Sequence, residues 1–301
     1  MPDARHAGQP GSYRSDSSFH CACVQMISGP DPARNLADAL ELGQSATGAR
    51  ADFLTYPEAV DLLDPDADRV KAHARPLEQH EFVLGMRELA LRQKQWILIG
   101  SVTARSANAE IVNRSVLIEP GGEVVATYDK IHLFDAPVNR DNPVPESVLY
   151  RAGGTARVFS LPWTTIGLSI CYDLRFPLLF RALTRHGAKV LCVPAAFLQS
   201  TGEAHWHTLL RARAIENGCY VIAPAQCGVP HEGRRNYGHS LIVDPWGRVL
   251  ADAGDQPGVI GAEIDLAVVE TSRTALPCLV HERTFTMHTP TVAEVVADAR
   301  A

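Results

Sequence analysis

TTIGLSICYDLRFPLLFRALTRHGAKVLCVPA, residues 164–195, is the segment from which the architecture is read. Its opening, TTIGLSI (164–170), has the apolar, β-branched character of a buried strand. FPLLFRALTRHG (176–187) changes to a helical period and closes on glycine, and KVLCVPA (189–195) is again an apolar strand. Cys171 sits at the junction of the first strand and the helix. A strand-to-helix turn lifts a side chain to the rim of a sheet and points backbone N–H groups and a helix dipole at it. That setting favours a thiolate and an oxyanion together. On spacing alone Cys171 is either a nucleophile or a buried structural cysteine, because free cysteine is among the most buried residue types.

Working outward, strands and helices alternate from Phe19 onward. FHCACVQM (19–26), DFLTYP (52–57), WILIGSV (96–102), IVNRSVLIE (111–119) and VVATYDKIHLF (124–134) read as strands, with Gly121-Gly122 as a hairpin turn. Asp31-Pro32 reads as an N-cap and first helical position for a helix over 32–43, and Phe82, Met86 and Leu89 share a face of a helix near 77–92. Beyond the opening segment, a helix over 201–217 has Ser200 and Glu203 as a capping box and Gly218 as its stop. CYVIAPA (219–225), YGHSLIVDP (237–245), RVLADA (248–253) and VIGAEID (259–265) complete the strands. Many strands and few helices predict one domain with a sheet-on-sheet core covered by outer helices.

Composition narrows the classes of function. The 301 residues carry a net charge of −6, which disfavours nucleic acid as a partner. No apolar run approaches the roughly 20 residues of a membrane helix. The seven cysteines are odd in number and scattered, as expected in a reducing, cytoplasmic setting rather than in a disulfide framework. MPDARHAGQPGSYRSDSS (1–18) lacks the apolar core of a secretory signal and reads as a flexible tail. Of 28 basic residues only Lys71, Lys94, Lys130 and Lys189 are lysines, so a lysine in a chemically suggestive place carries weight.

A thiol needs a positioned base. No papain-like signature and no G-x-S-x-G is present, and GLSIC (167–171) fails at its last position. His205 and His207 flank Trp206, but residues two apart on a helix do not share a face, so no metal is expected there.

TYPEAV (55–60), YDKIHLFDA (128–136), PES (145–147) and GLSICYDLRFP (167–177) together resemble the motifs of the nitrilase, or carbon–nitrogen hydrolase, superfamily, in that family's order. The resemblance continues to about residue 285. It implies a domain over 19–285, with 286–301 as a C-terminal tail or helix. It also implies a four-layer αββα sandwich without a cofactor, in a homodimer or larger homo-oligomer. Carried over residue by residue, it makes Cys171 the nucleophile, Glu58 the general base, Lys130 the family lysine and Glu146 the second glutamate. Lys130 and the backbone N–H of Tyr172 would hold the oxyanion of a thioester-forming amide hydrolysis. Read without the family, Glu58 has the weaker alternative of a helix cap and Lys130 that of a surface strand residue.

HWHTLLRARAIENGCYVIAPAQCG (205–228) and YGHSLIVDPWGRV (237–249) are most similar to the deaminated glutathione amidases. That branch implies an anionic amide, cleaved to 2-oxoglutarate and cysteinylglycine. Arg175 is then a candidate anion ligand or a salt bridge at the helix start. Ala195 and Ala196 would leave room for the acyl group, and Phe197 is pocket wall or core. PVNRDNPVPES (137–147), LPCLVHERTFTMHTP (276–290) and His207 in place of a glutamate depart from the branch. Alternatives are an ω-amidase acting on 2-oxoglutaramate, an N-carbamoyl amine hydrolase, or a binding module of the same fold without catalysis.

Overall fold

The computed structural model describes residues 18–46, 51–136 and 145–289. Its first half is β1 (Ser18–Gln25), α1 (Pro32–Ser45), β2 (Phe53–Thr55), α2 (Ala67–His73), α3 (Glu81–Gln93), β3 (Trp96–Arg105), β4 (Ile111–Ile118) and β5 (Val124–Asp129). The second half is β6 (Arg157–Ser160), β7 (Thr165–Leu168), α4 (Pro177–Arg185), β8 (Val190–Cys192), α5 (Gln199–Asn217), β9 (Tyr220–Ala223), β10 (Cys227–His231), β11 (Arg234–Tyr237), β12 (Leu241–Val243) and β13 (Val249–Asp252). The chain closes through β14 (Gly258–Asp265), α6 (Leu266–Ala275) and α7 (Cys278–His281). One six-stranded sheet runs β14-β1-β2-β3-β4-β5 and the other β13-β12-β9-β8-β7-β6; β10 and β11 form a separate hairpin.

The period of two along each strand sorts its side chains between layers. Phe19, Cys21 and Cys23 of β1 meet Ile166, Leu168, Val190, Cys192 and Ile222 in the core between the sheets. Ala22 and Val24 point the other way, into a core shared with Phe82, Met86 and Leu89 of α3. Leu191 and Val221 face Phe180, Leu183 and Leu210 of α4 and α5 in a third core. Three apolar layers between four structural ones are the expected αββα sandwich. Gly167 lets α4 lie close to its sheet, since a Cβ there would stand 3.0 Å from the Leu183 Cβ.

Several local readings need correction. The strand expected over 124–134 stops at Asp129, and Lys130 opens an irregular stretch toward the site. Helix α5 starts at Gln199, with Leu198 at its N-cap and no side-chain cap. Ser200 is thus inside the helix, and Glu203 accepts from the Gln199 amide instead of closing a capping box. The strand expected over 237–245 is broken by Gly238 and His239, both at positive φ, which place Tyr237 in the β10–β11 hairpin. α2, β6, the hairpin and α6 were not anticipated. The tail expected over 1–18 lies, except for Ser18, outside the described residues. So does 290–301 of the expected C-terminal segment, while 286–289 have no regular structure.

Candidate active site

Four side chains from different parts of the sequence converge at one end of the sandwich. Glu58 follows β2 in a tight loop. Gly100 on the neighbouring strand permits that loop, because a Cβ there would stand 2.2 Å from the Tyr56 carbonyl oxygen and 2.3 Å from that of Pro57. Lys130 is the first residue beyond β5, with 1% of its surface exposed; Glu58 has 4%. The Lys130 ammonium donates to Glu58 Oε1 at 2.8 Å and to Glu146 Oε1 at 2.9 Å, so it bridges the two carboxylates. Glu146, in a short 3-10 turn, is oriented by the Phe134 N–H, which donates to its Oε2 at 2.8 Å.

Cys171 begins a 3-10 turn, Cys171–Arg175, between β7 and α4, with φ of 45°. A left-handed conformation at a non-glycine residue is a strain that the surroundings must hold in place. Part of that hold is the Cys171 N–H, which donates to the Pro194 carbonyl at 2.9 Å. The Tyr172 N–H donates to no acceptor among the described residues and remains available for an oxyanion.

The electrostatics separate the four groups. Burial alone would push the Glu58 carboxyl up. The Lys130 charge and hydrogen bonds from Lys130, Cys171 and the Ala196 N–H outweigh it and hold Glu58 below the usual carboxylate range. Burial opposes a charged Lys130, yet the Glu146 and Glu58 carboxylates hold its ammonium well above the ordinary lysine value. Glu146 is pushed up by burial and by the nearby Glu58, with Lys130 offsetting only part. Burial and the Glu58 charge push the Cys171 thiol well up, again with only partial relief from Lys130. The resting site therefore holds a thiol beside an ionised glutamate. The helix proper starts only at Pro177, beyond the 3-10 turn, and the Glu58 and Glu146 charges oppose a thiolate at the sulfur.

The remaining sequence candidates divide. Arg175 lines the cavity at Cys171, with its guanidinium 5.1 Å from the centre of the Phe197 ring and 3.3 Å from His205 Nδ1. Among the described residues it makes no ion pair with a carboxylate. Phe197 is both wall and core, since it lines the cavity and packs on Trp206 at 5.0 Å. Ala195 is fully buried and does not line the cavity, so it makes no room for an acyl group. Ala196 does line it, but its N–H donates to Glu58 Oε2 at 2.8 Å and its carbonyl accepts from Arg234 at 2.9 Å. Its backbone positions catalytic candidates rather than substrate.

Three groups escaped sequence reading. Asn113 Nδ2 donates to Glu58 Oε1 at 3.0 Å. Arg234 lines the cavity, bonds only to Asn236 and the Ala196 carbonyl, and faces no carboxylate ion-pair partner among the described residues. Asp61, three residues after Glu58, accepts from the Thr103 N–H at 2.9 Å and faces the Nε2 atoms of His73 and His80 at 3.0 and 3.2 Å. Burial would raise the Asp61 carboxyl, but the hydrogen bonds from His73 and His80 outweigh it and hold it well below the usual range. This buried cluster anchors the loop that carries Glu58. The cavity beside Cys171 is only about 40 Å3; one of about 160 Å3 shares Glu58, Glu146, Ala196 and Arg234 with it.

A half-buried cysteine, a buried lysine and a glutamate pair at the rim of an αββα sandwich define a class, and comparison with known proteins agrees. The chain belongs to the carbon-nitrogen hydrolase family, whose profile matches residues 20–274. Among individual proteins, it is 42% identical over 268 residues to the deaminated glutathione amidase of Synechocystis, covering 87% of this chain and 97% of that one. Its fold is similar to that of NitFhit from C. elegans, with a TM-score of 0.81 and 36% identity, covering 89% of this chain and 65% of that longer one. A mutant of an amidase from Nesterenkonia, in which the acetamide moiety of fluoroacetamide is attached to the active-site cysteine, matches with a TM-score of 0.73. It is 26% identical, with 88% of this chain and 97% of that one covered. The sequence resemblance to the superfamily is thereby borne out.

Proposed function

We propose that this chain hydrolyses the amide of deaminated glutathione, an N-(4-oxoglutaryl) dipeptide, to 2-oxoglutarate and cysteinylglycine. The observation that carries the reading is the Glu58–Lys130–Glu146 bridge placed against Cys171. Two cations without a carboxylate ion-pair partner among the described residues, Arg175 and Arg234, line the same cavity. A cation left unpaired at a cleft fits a substrate that carries carboxylates. The family membership and the name of the Synechocystis relative support the same substrate.

In the proposed mechanism Glu58, ionised at rest, takes the Cys171 proton as the sulfur attacks the amide carbon. The developing oxyanion is held by Lys130 and the Tyr172 N–H. Donors fixed in advance at such a position contribute about 3–4 kcal/mol each. Glu58 returns the proton to the departing amine, and cysteinylglycine leaves. Water, deprotonated by Glu58, then attacks the thioester and releases 2-oxoglutarate and the thiol. Lys130 keeps the two glutamates compatible, and Glu146 orients that lysine rather than moving protons.

We assign the hydrolase domain to 19–285 and a cytoplasmic, reducing setting to the chain. The free thiols of the described cysteines agree with that setting, and no described helix is long and apolar enough to cross a membrane. A homo-oligomer would cover the exposed Leu178, Val280, Phe285 and Met287.

The test is turnover of deaminated glutathione, followed as 2-oxoglutarate, by the wild type and by Cys171→Ala. Turnover abolished by the substitution is expected. A folded wild type that is inactive on it but active on 2-oxoglutaramate or an N-carbamoyl amine would overturn the substrate and leave the reaction class.

A further inference from the structure

Away from the active site, three side chains from three elements turn their ligand atoms toward one point. His207 lies on α5, His239 in the turn before β12, and Asp252 ends β13. His207 Nε2 lies 3.1 Å from Asp252 Oδ2, and His239 Nδ1 lies 2.9 Å from Asp252 Oδ1. All three ligand atoms fall within 4.8 Å of one another. Nitrogen and oxygen ligands at about 2.0–2.2 Å from a zinc ion in tetrahedral geometry stand roughly 3.4 Å apart. The cluster needs only small adjustments to reach that spacing.

The group is held in place independently of any ion. His239 has φ of 53°, an unusual conformation fixed by its N–H on the Gly254 carbonyl and by its own carbonyl, which accepts from Trp206 Nε1 at 2.8 Å. Its ring stacks on Tyr237 at 4.5 Å. The Gly254 N–H donates to Asp252 Oδ1 at 2.9 Å and orients the carboxylate from outside. The side chains are about one-third exposed, which gives an ion access.

We propose that His207, His239 and Asp252 form a binding site for a divalent transition-metal ion of the zinc type, with water completing its coordination. Two imidazoles and one carboxylate with open positions suit zinc, cobalt or nickel and not the hard, all-oxygen preference of magnesium or calcium. The ion clamps α5 to the β12–β13 edge of the second sheet. The Asp61, His73 and His80 cluster differs. There the buried His80 Nδ1 has no partner among the described residues, whereas a metal-bound histidine needs one for its second N–H.

The test is calorimetric titration of the full chain with zinc chloride in a Cys171→Ala background, which removes the catalytic thiol as a competing ligand. Added His207→Ala, which keeps a strong helix former on an outer helix face, should abolish one bound equivalent and the zinc-induced rise in Tm. Added Asp252→Asn should do the same, and added His73→Ala should leave both intact. Cobalt(II) should show the visible bands of a low-symmetry nitrogen and oxygen site, lost in the same two variants. No bound equivalent in the parent, equal binding after His207→Ala in a chain with unchanged circular dichroism, or loss only after His73→Ala would overturn the proposal.

Discussion

The Tyr128 hydroxyl donates a 2.7 Å hydrogen bond to Oδ2 of the fully buried Asp173, and so ties the strand that leads into Lys130 to the turn that begins at Cys171. Asp173 also accepts from the Ile170 N–H at 2.8 Å and from the His132 N–H at 3.0 Å. One carboxylate thus fixes the residues before the nucleophile and both flanks of the lysine.

Tyr128→Phe keeps the ring and removes the donor. A hydrogen bond to a charged group contributes about 1.5–3 kcal/mol, and a loss of that size is expected in urea denaturation. kcat should fall more than KM rises, because the change displaces reacting groups and leaves the arginines in place. An unchanged kcat would show that this hydrogen bond serves stability alone.

Cys171 should alkylate as a thiol. Its pKa is pushed well above the ordinary 9.0, so the iodoacetamide rate should keep rising with pH through the usual thiol range. A rate that reaches its plateau near neutrality would mean a resting thiolate and contradict the electrostatics of the site.

Lys130→Met should reverse the pH dependence of stability. In the wild type the folded pKa of Glu58 is depressed, so its contribution is present above the unfolded value and is lost as pH falls through the folded one. Without the ammonium, burial and mutual repulsion raise Glu58 above its unfolded value and push Glu146, already raised in the wild type, further up. The variant is then less stable by about 3–5 kcal/mol at neutral pH and should regain stability on acidification. Thermal melts across the acid range check the sign.

Arg175→Met and Arg234→Met each remove a cation from the cavity wall. Each should lower kcat/KM for the anionic amide by roughly tenfold to a hundredfold, the equivalent of a charged hydrogen bond, and barely affect a small neutral amide. Equal losses on both substrates would make these arginines structural.

The legible part of the molecule was whatever its motifs encode locally. Cys171, Glu58, Lys130 and Glu146 each stand in a short recognisable string, and the strand period separated the layers at β1 and β7. Asn113 and Arg234 stayed hidden because their roles exist only once β4 and the β10–β11 hairpin are folded against the Glu58 loop. His207 illustrates the same limit. Its helix neighbour two residues away is no partner, and its actual partners lie 32 and 45 positions further along the chain. The Ser200 capping box failed because α5 starts at Gln199, two residues earlier than the period suggested, and the charges around Cys171 stayed hidden because the facing carboxylates come from distant parts of the chain.

The central claim is covalent catalysis by Cys171, and rapid acid quenching of wild-type enzyme during turnover of deaminated glutathione tests it most directly. Mass spectrometry should find the 4-oxoglutaryl group on the peptide that contains Cys171, and no such adduct in Cys171→Ala. Turnover with the acyl group on another residue, or turnover retained by Cys171→Ala, would contradict the account.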